Sequence, residues 1–364
     1  MIRVLHLREL HADYETTSGV DALSGDTSET FTCDVRTIGR GGSFAMPHTA
    51  ALQLRRQSAD PDLIHAWGIV ALTVAAFGSR GSKPIVFSPT AYPRLRDVRW
   101  LRAIAGYRNV NVICPTDTMR RRFVEHGVPI ERCHMIRPGV AFGKVKRRRD
   151  PELRAALGLS VNDHVILAPG ESTRASGHRD AVFAATLLNV MDRSNRLLVW
   201  GRGPLAENVQ RFARRLKQPS FVDATKTLRR TISIEELLPA ADEVLVTAAA
   251  PVPTLPIAVC MAAGLPIVAT VTPTVAELLE DRHTALMLRD PSPRLIAQRI
   301  LDLRADPALR WSVSDMARTE AYEFFSQTRF LQQFRAVYQQ VGAGEPVNVP
   351  QHAPGAGLRF HGRG

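Results

Sequence analysis

Residues 243–277 read Glu243-Val-Leu-Val-Thr-Ala-Ala-Ala-Pro-Val-Pro-Thr-Leu-Pro-Ile-Ala-Val-Cys-Met-Ala-Ala-Gly-Leu-Pro-Ile-Val-Ala-Thr-Val-Thr-Pro-Thr-Val-Ala-Glu277, with no charge between the two glutamates. A membrane span needs about 20 apolar residues, but Pro251, Pro253, Pro256, Pro266 and Pro273 would each remove a backbone donor that lipid cannot replace. The spacing predicts instead a short strand over Val244–Val246, a loop over Ala248–Thr254, and a helix through Met261. Pro256 suits the first turn of that helix, Gly264 ends it, and Pro266–Thr270 is the next strand. Neither strand alternates apolar with polar residues, the pattern of a parallel sheet covered on both faces. Such sheets bind ligands beyond the carboxyl ends of their strands, so the loop 247–256 is the place to look for a site.

The same alternation runs outward in both directions. Towards the N-terminus, strands are expected at Ile2–Leu7, Phe31–Thr37, Asp62–Ala66, Pro84–Ser88, Asn111–Cys114 and His134–Ile136. Helices are expected near Thr49–Gln57, Ile69–Phe77, Trp100–Ala105 and Asp117–His126. Arg8 to Asp26 is polar and carries no clear period. Gly139 to Asp150 interrupts the series with Lys144-Val-Lys-Arg-Arg-Arg149, read as a solvated linker, or as a contact to phosphate or to a membrane. A second series follows, with strands at His164–Ala168, Arg196–Trp200 and Ser220–Val222 and helices over 178–190 and 205–216. It closes with helices over Ser292–Arg304, 307–318 and 328–341. The doubled pattern predicts two α/β domains, 1–145 and 146–325, facing each other across a cleft. A C-terminal helix, 326–341, would pack back on the first domain, and a tail, 342–364, would be disordered.

The chain has 364 residues, 45 % apolar and 23 % charged, and a net charge of +12. The excess of cations serves as solvated surface or attracts phosphates or an anionic membrane face. No basic helix interleaved with aromatics is present, so nucleic acid is not an expected partner. The four cysteines show no metal-ligand spacing and fit reduced, buried thiols; no bound metal or cofactor is expected. The N-terminus lacks a signal-peptide pattern, and a cytoplasmic protein, peripheral at most to the inner face of the membrane, is expected.

The order of several short motifs resembles glycosyltransferase family 4, the retaining glycosyl transferases of group 1 with the two-domain GT-B fold. Asp62-Leu-Ile-His-Ala-Trp67 is similar to that family's Asp-Val-Val-His-Ala-His strand. His134-Met-Ile-Arg-Pro-Gly-Val140 resembles its hinge segment. Gly170, Ser176, Gly177 and His178 fall where it has Gly-Arg-Leu and then Lys-Gly-His. Leu198-Val-Trp-Gly-Arg-Gly-Pro204 resembles its Val-Gly-Asp-Gly-Pro turn, and Met261-Ala-Ala-Gly-Leu-Pro and Val275-Ala-Glu277 complete the run. The resemblance covers roughly residues 60–340 and implies sugar transfer from a nucleotide sugar to a glycan or glycolipid acceptor.

It also implies where the donor should sit, and several of those positions are changed. The family's phosphate-binding Arg and Lys correspond here to Glu171 and Ser176, and its two donor glutamates to Pro251 and Val259. Its acceptor-side histidine corresponds to Thr90, which cannot do a histidine's proton work. The donor-binding candidates are Gly170, Gly177, Gly201, Arg202, Thr254 and Glu277, with Arg174 a further cation in the same turn as Gly170 and Gly177. The acceptor-side candidates are His65 and Thr90; Arg174 could equally be an exposed loop arginine, and His65 a structural residue. These replacements leave two readings, a transferase with a strongly altered donor site or an inactive GT-B module that binds or scaffolds. Gly201-Arg-Gly-Pro-Leu-Ala206 with Asp223 also fits a dinucleotide-binding fingerprint, although its strand is not the first of its series.

Overall fold

The computed structural model describes residues 1–56, 61–79, 83–217 and 220–349. The tail expected to be disordered lies outside the described residues from position 350 onward. The chain divides into two compact units, one formed by Met1–Gly139 together with the segment from Gln327 to the last described residue, the other by Val140–Ser326.

In the first unit six parallel strands form one sheet: β1 (Ile2–Glu9), β2 (Phe31–Ile38), β3 (Leu63–Trp67), β4 (Ile85–Ser88), β5 (Val110–Cys114) and β6 (Cys133–Met135), in the order β2-β1-β3-β4-β5-β6. The central strands are buried on both faces, which is why they read as unbroken apolar runs. On one face Leu7, Ile64 and Ala66 pack under helices Pro47–Arg56, Ile69–Gly78, Leu95–Ala105 and Asp117–Glu125. On the other, Val4, Leu63, Trp67 and Val86 pack under Tyr14–Ser24 and Gln327–Ala343, which contribute Val20, Leu23, Phe330, Phe334, Val337 and Tyr338.

Helix Tyr14–Ser24 occupies the stretch whose sequence shows no period. It buries only Thr16, Val20 and Leu23, too few to mark an apolar stripe. Its start is set by Asp13, whose carboxylate accepts from the Thr16 amide at 2.7 Å, and it ends at Gly25.

The second unit repeats the plan with β7 (His164–Ala168), β8 (Asn195–Val199), β9 (Phe221–Asp223), β10 (Glu243–Val246), β11 (Ile267–Thr270) and β12 (Leu286–Leu288), all parallel, ordered β12-β11-β10-β7-β8-β9. The uncharged stretch is strand, loop, helix and strand, and every residue of helix Leu255–Ala263 is buried. Among the described residues no helix is long and apolar enough to cross a membrane.

The basic run is not a plain solvated linker. It belongs to the second unit, where the Arg147 Nε donates to the Ala263 carbonyl at the end of helix Leu255–Ala263 and Arg149 pairs with Asp242. Lys144, Lys146 and Arg148 are exposed. A buried carbonyl terminus and a buried carboxylate take up the other two cations, and neither partner is visible in local sequence.

Candidate functional site

The order of strands reverses in the second unit between β7 and β10, and a crevice at such a switch point is where a doubly wound sheet binds its ligand. Three loops leave the carboxyl ends there and are stitched to one another. From the loop after β7, the Ser172 amide donates to the Arg202 carbonyl (2.6 Å), and the Leu205 amide donates back to the Ser172 carbonyl (2.9 Å). On the other flank, the Ala249 amide donates to the Ala175 carbonyl (2.8 Å) and the Thr247 hydroxyl to the Ser176 carbonyl (3.0 Å).

Glycine is required for this contact at Gly177. Its φ is +61°, and a β-carbon there would lie 1.9 Å from the Thr247 carbonyl oxygen. Gly177→Ala is therefore expected to cost at least about 1–2 kcal/mol from the left-handed backbone alone, with a further loss as the two loops separate. A thermal melt superposable on that of the unaltered protein would contradict this account.

Beneath the loops sits a neutral imidazole. His178 is buried, its Nε2–H donates to the Pro169 carbonyl (3.3 Å) and its Nδ1 is hydrogen-bonded to the Ser172 hydroxyl (2.9 Å). Burial holds its pKa down to about 4, with the Pro169 bond opposing. His178 thus ties the end of β7 to the helix His178–Met191 and positions the loop between them.

The candidate residues fall into distinct groups. Gly170 and Gly177 lie on the loop after β7, and Gly201 and Arg202 on the loop after β8. Glu171 and Arg202 form an ion pair at 3.7 Å, and the Arg202 guanidinium lies over the Trp200 ring, 5.0 Å from its centroid. Ser176 is buried, its hydroxyl bridging the Thr173 amide and carbonyl, so it serves the turn. Thr254 is buried at the start of helix Leu255–Ala263, Val259 is buried within it, and Pro251 is half-buried in the preceding loop. Glu277 ends a single 3-10 turn, Val275–Glu277, and is half-buried.

Arg174 is exposed and lines a cavity of about 510 Å³ with Thr173, Gly177, Asp180, Phe212 and Ala249. Gly201 and Arg202 do not line it. Asp180, whose pKa is raised by burial with Arg179 opposing, is a carboxylate that the motif comparison passed over. Its place in the first turn of a helix opening at Gly177 was the available signal.

The dinucleotide alternative fails on geometry. Asp223 accepts from the Lys226 amide (3.0 Å) as the cap of helix Ala224–Leu228, and a β-carbon on Gly201 would meet its Oδ1 at 2.0 Å. The carboxylate fills the space against Gly201, and β8 is not a switch-point strand. No group of three or more His, Cys, Asp or Glu among the described residues could hold a metal ion.

In the first unit, Thr90 lies at the carboxyl end of β4 and is half-buried, its Oγ1 3.0 Å from where a β-carbon on Gly68 would stand. His65 is placed elsewhere. It is fully buried, with Nδ1 hydrogen-bonded to the Tyr338 hydroxyl (2.7 Å), Nε2 to the Ser88 hydroxyl (2.8 Å), and the Trp67 and Phe334 rings stacked on it. As an acceptor-side residue it is corrected: both ring nitrogens are engaged within the core, and the imidazole docks helix Gln327–Ala343.

Residues 26–142 match the family model described as Glycosyltransferase Family 4, and residues 163–306 match that of Glycosyl transferases group 1. The chain belongs to the glycosyl transferases of group 1. Its fold is GT-B. HepE of Anabaena, solved in complex with UDP-glucose, superposes with a TM-score of 0.76 at 17 % identity, covering 93 % of this chain and 100 % of that one. Sucrose-phosphate synthase from Thermosynechococcus elongatus gives a TM-score of 0.74 at 15 % identity over 94 % and 100 % of the two chains. WaaG, a glycosyltransferase involved in lipopolysaccharide biosynthesis, gives 0.67 at 15 % identity over 93 % and 99 %. No curated protein matches the sequence. In this member of the group 1 family, the loops after β7, β8 and β10 are joined to one another by hydrogen bonds.

Proposed function

We propose that this group 1 protein transfers a sugar from a nucleotide-sugar donor to a glycan or glycolipid acceptor, through a donor site strongly altered from the family's. The observation that carries the reading is the Glu171–Arg202 pair. By the motif resemblance the family has its arginine where Glu171 stands and an aspartate where Arg202 stands, so the two charges are exchanged between these positions. A guanidinium is retained, now on the loop after β8. As the anomeric C–O bond breaks, negative charge builds on the leaving diphosphate, and fixed cations and backbone amides stabilise it without metal. Arg202 and Arg174 are the groups assigned to it. Asp180 and Glu277 are the carboxylates assigned to the sugar or ribose hydroxyls. HepE, solved with UDP-glucose, and WaaG, named for lipopolysaccharide biosynthesis, support the donor and acceptor classes.

A second reading, a catalytically inactive GT-B module, is favoured by one observation. Val259 is buried within its helix and Pro251 precedes it, and no carboxylate lies between Glu243 and Glu277. Calorimetry with UDP, GDP and ADP, beside a transfer assay with their sugars, separates the readings. Arg202→Ala and Arg174→Ala are expected to weaken nucleoside diphosphate binding by roughly 10- to 100-fold, the worth of a charged hydrogen bond. Turnover is expected well below the ordinary range of about 1–1000 per second. Undiminished affinity in both variants removes the donor placement; binding without any product leaves the inactive module.

A further inference from the structure

We propose that the groove between helices His178–Met191 and Ala206–Arg215 is an accessory binding site for a sugar ring carrying an anionic group, a hexuronate or a sugar phosphate. It is the cavity of about 510 Å³ lined by Arg174 and Asp180, within the range of about 300–1,000 Å³ usual for small-molecule pockets. The proposal does not depend on sugar transfer. Gly201 and Arg202 do not line the cavity, and Arg179, Phe183 and Phe212, on which the proposal rests, have no part in the donor assignment.

Helical spacing builds the two walls. Arg179 and Asp180 precede Phe183 by four and three residues, so the three share one side of their helix. Leu205, Asn208 and Phe212 are spaced in the same way along the second wall. The walls meet across the groove. The Arg179 guanidinium lies over the Phe212 ring, 4.4 Å from its centroid, and the Phe183 ring is tilted 34° to that of Phe212, with 6.3 Å between centroids. Phe183 is 42 % exposed while Ala181, Val182, Ala184 and Ala185 around it are buried, so its ring stands clear of the core. A large apolar ring held in solvent at a cavity wall adds little to the fold beneath it and marks a contact surface.

The polar groups select the ligand. Among the described residues neither Arg174 nor Arg179 makes a hydrogen bond or an ion pair, so two open guanidiniums line the cavity against one carboxylate, Asp180. Stacking on Phe212 fixes the plane of the Arg179 guanidinium, which favours a two-pronged contact to a carboxylate or phosphate. Asp180 can accept from ring hydroxyls. Asn208 can donate to them, because its Oδ1 is already taken by Arg211 and its amide N–H groups are left over. The apolar C–H face of a pyranose covers a phenylalanine ring while its hydroxyls reach the rim. A neutral sugar would leave the cations unanswered, and a bare anion would leave both phenylalanines uncovered.

The test is calorimetry on the full-length protein with glucuronate, glucose 6-phosphate, glucose and inorganic phosphate. At least one of the first two is expected to bind about tenfold or more tightly than glucose or phosphate, and the comparison between them tells carboxylate from phosphate. Arg179→Met, which keeps an apolar stem over Phe212, should lower that affinity roughly 10- to 100-fold and leave the thermal melt unchanged. Phe183→Ser, at an exposed ring, should lower it independently. A separate titration with UDP reports on the donor crevice, so the loss of either binding leaves the other readable. The proposal is overturned if neither anionic sugar binds, if phosphate alone binds as tightly, if either substitution leaves the affinity intact, or if Arg179→Met weakens UDP as much as it weakens the sugar.

Discussion

Asp242→Ala is expected to destabilise the second unit by about 3–5 kcal/mol, a large part of the whole stability of a domain. The residue is 8 % exposed, and its carboxylate gathers three donors. The Val165 amide donates at 2.8 Å, the Arg154 Nη2 at 2.6 Å, and Arg149 closes over the other oxygen. Burial pushes the carboxyl pKa up, but these bonds outweigh it and hold it below the usual range. Arg154 is itself 1 % exposed, with its remaining donors on the Ala240 and Asp163 carbonyls at 3.1 and 3.0 Å. Removing the carboxylate leaves a guanidinium buried without a counter-charge and orphans the Val165 amide of β7. Urea unfolding followed by circular dichroism measures the loss. Asp242→Asn, which keeps acceptor oxygen but not charge, should fall between. Arg154→Met with Asp242→Leu should recover much of the loss, because a buried pair is replaced by apolar groups more cheaply than it is broken. An Asp242→Ala protein that melts within about 0.5 kcal/mol of the unaltered one would show that the ion cluster is incidental.

The second large effect is a loss of stability in acid, centred on the first unit. β1 and β3 pair in register so that His6 lies beside His65, and both are fully buried. The Trp67 indole N–H donates to His6 Nδ1 (3.0 Å), leaving the proton on Nε2, which faces Cys33 Sγ at 3.2 Å. Burial lowers the His6 pKa to about 3. Burial, and then the neighbouring His6, hold His65 well below its ordinary value, and burial with nearby Arg120 lowers His134 to about 4.

All three are neutral in the fold and titrate near their ordinary value of about 6.5 once unfolded. Their contribution is complete above that pH. As the pH falls below it the unfolded chain takes up protons and the folded one does not, so stability drops by about 1.4 kcal/mol per pH unit for each histidine until the folded pKa is reached. Denaturant midpoints measured from pH 7.5 down to pH 4.5 should fall steeply. His6→Gln, which retains an acceptor for Trp67, should flatten the slope. An unchanged slope in that variant would remove His6 from the account.

Much of the architecture could be read without coordinates because the signals are local. Strands buried on both faces must be apolar throughout, so β3, β5, β7, β10 and β11 stand out as runs. Helices such as Pro293–Ala305 announce themselves by an apolar stripe, a proline in the first turn and Ser292 before it. The motif order carried the family. The tertiary structure decided what depends on partners distant in the chain. Helix Tyr14–Ser24 has three buried residues and no stripe, and packing beside Gln327–Ala343 supplies the apolar contacts it lacks alone.

His65 is a strand-end histidine in sequence; in the fold its ring is held by Tyr338, 273 positions away. Arg149 and Arg154 look like surface charge until Asp242 is brought between them. Glu171, in sequence only a lost arginine, meets Arg202 across two neighbouring strand ends. Periodicity reports which face of an element is buried, because burial follows the element's own geometry. It does not report which charge or ring waits on the neighbouring element, because parallel crossovers set that neighbour many residues away.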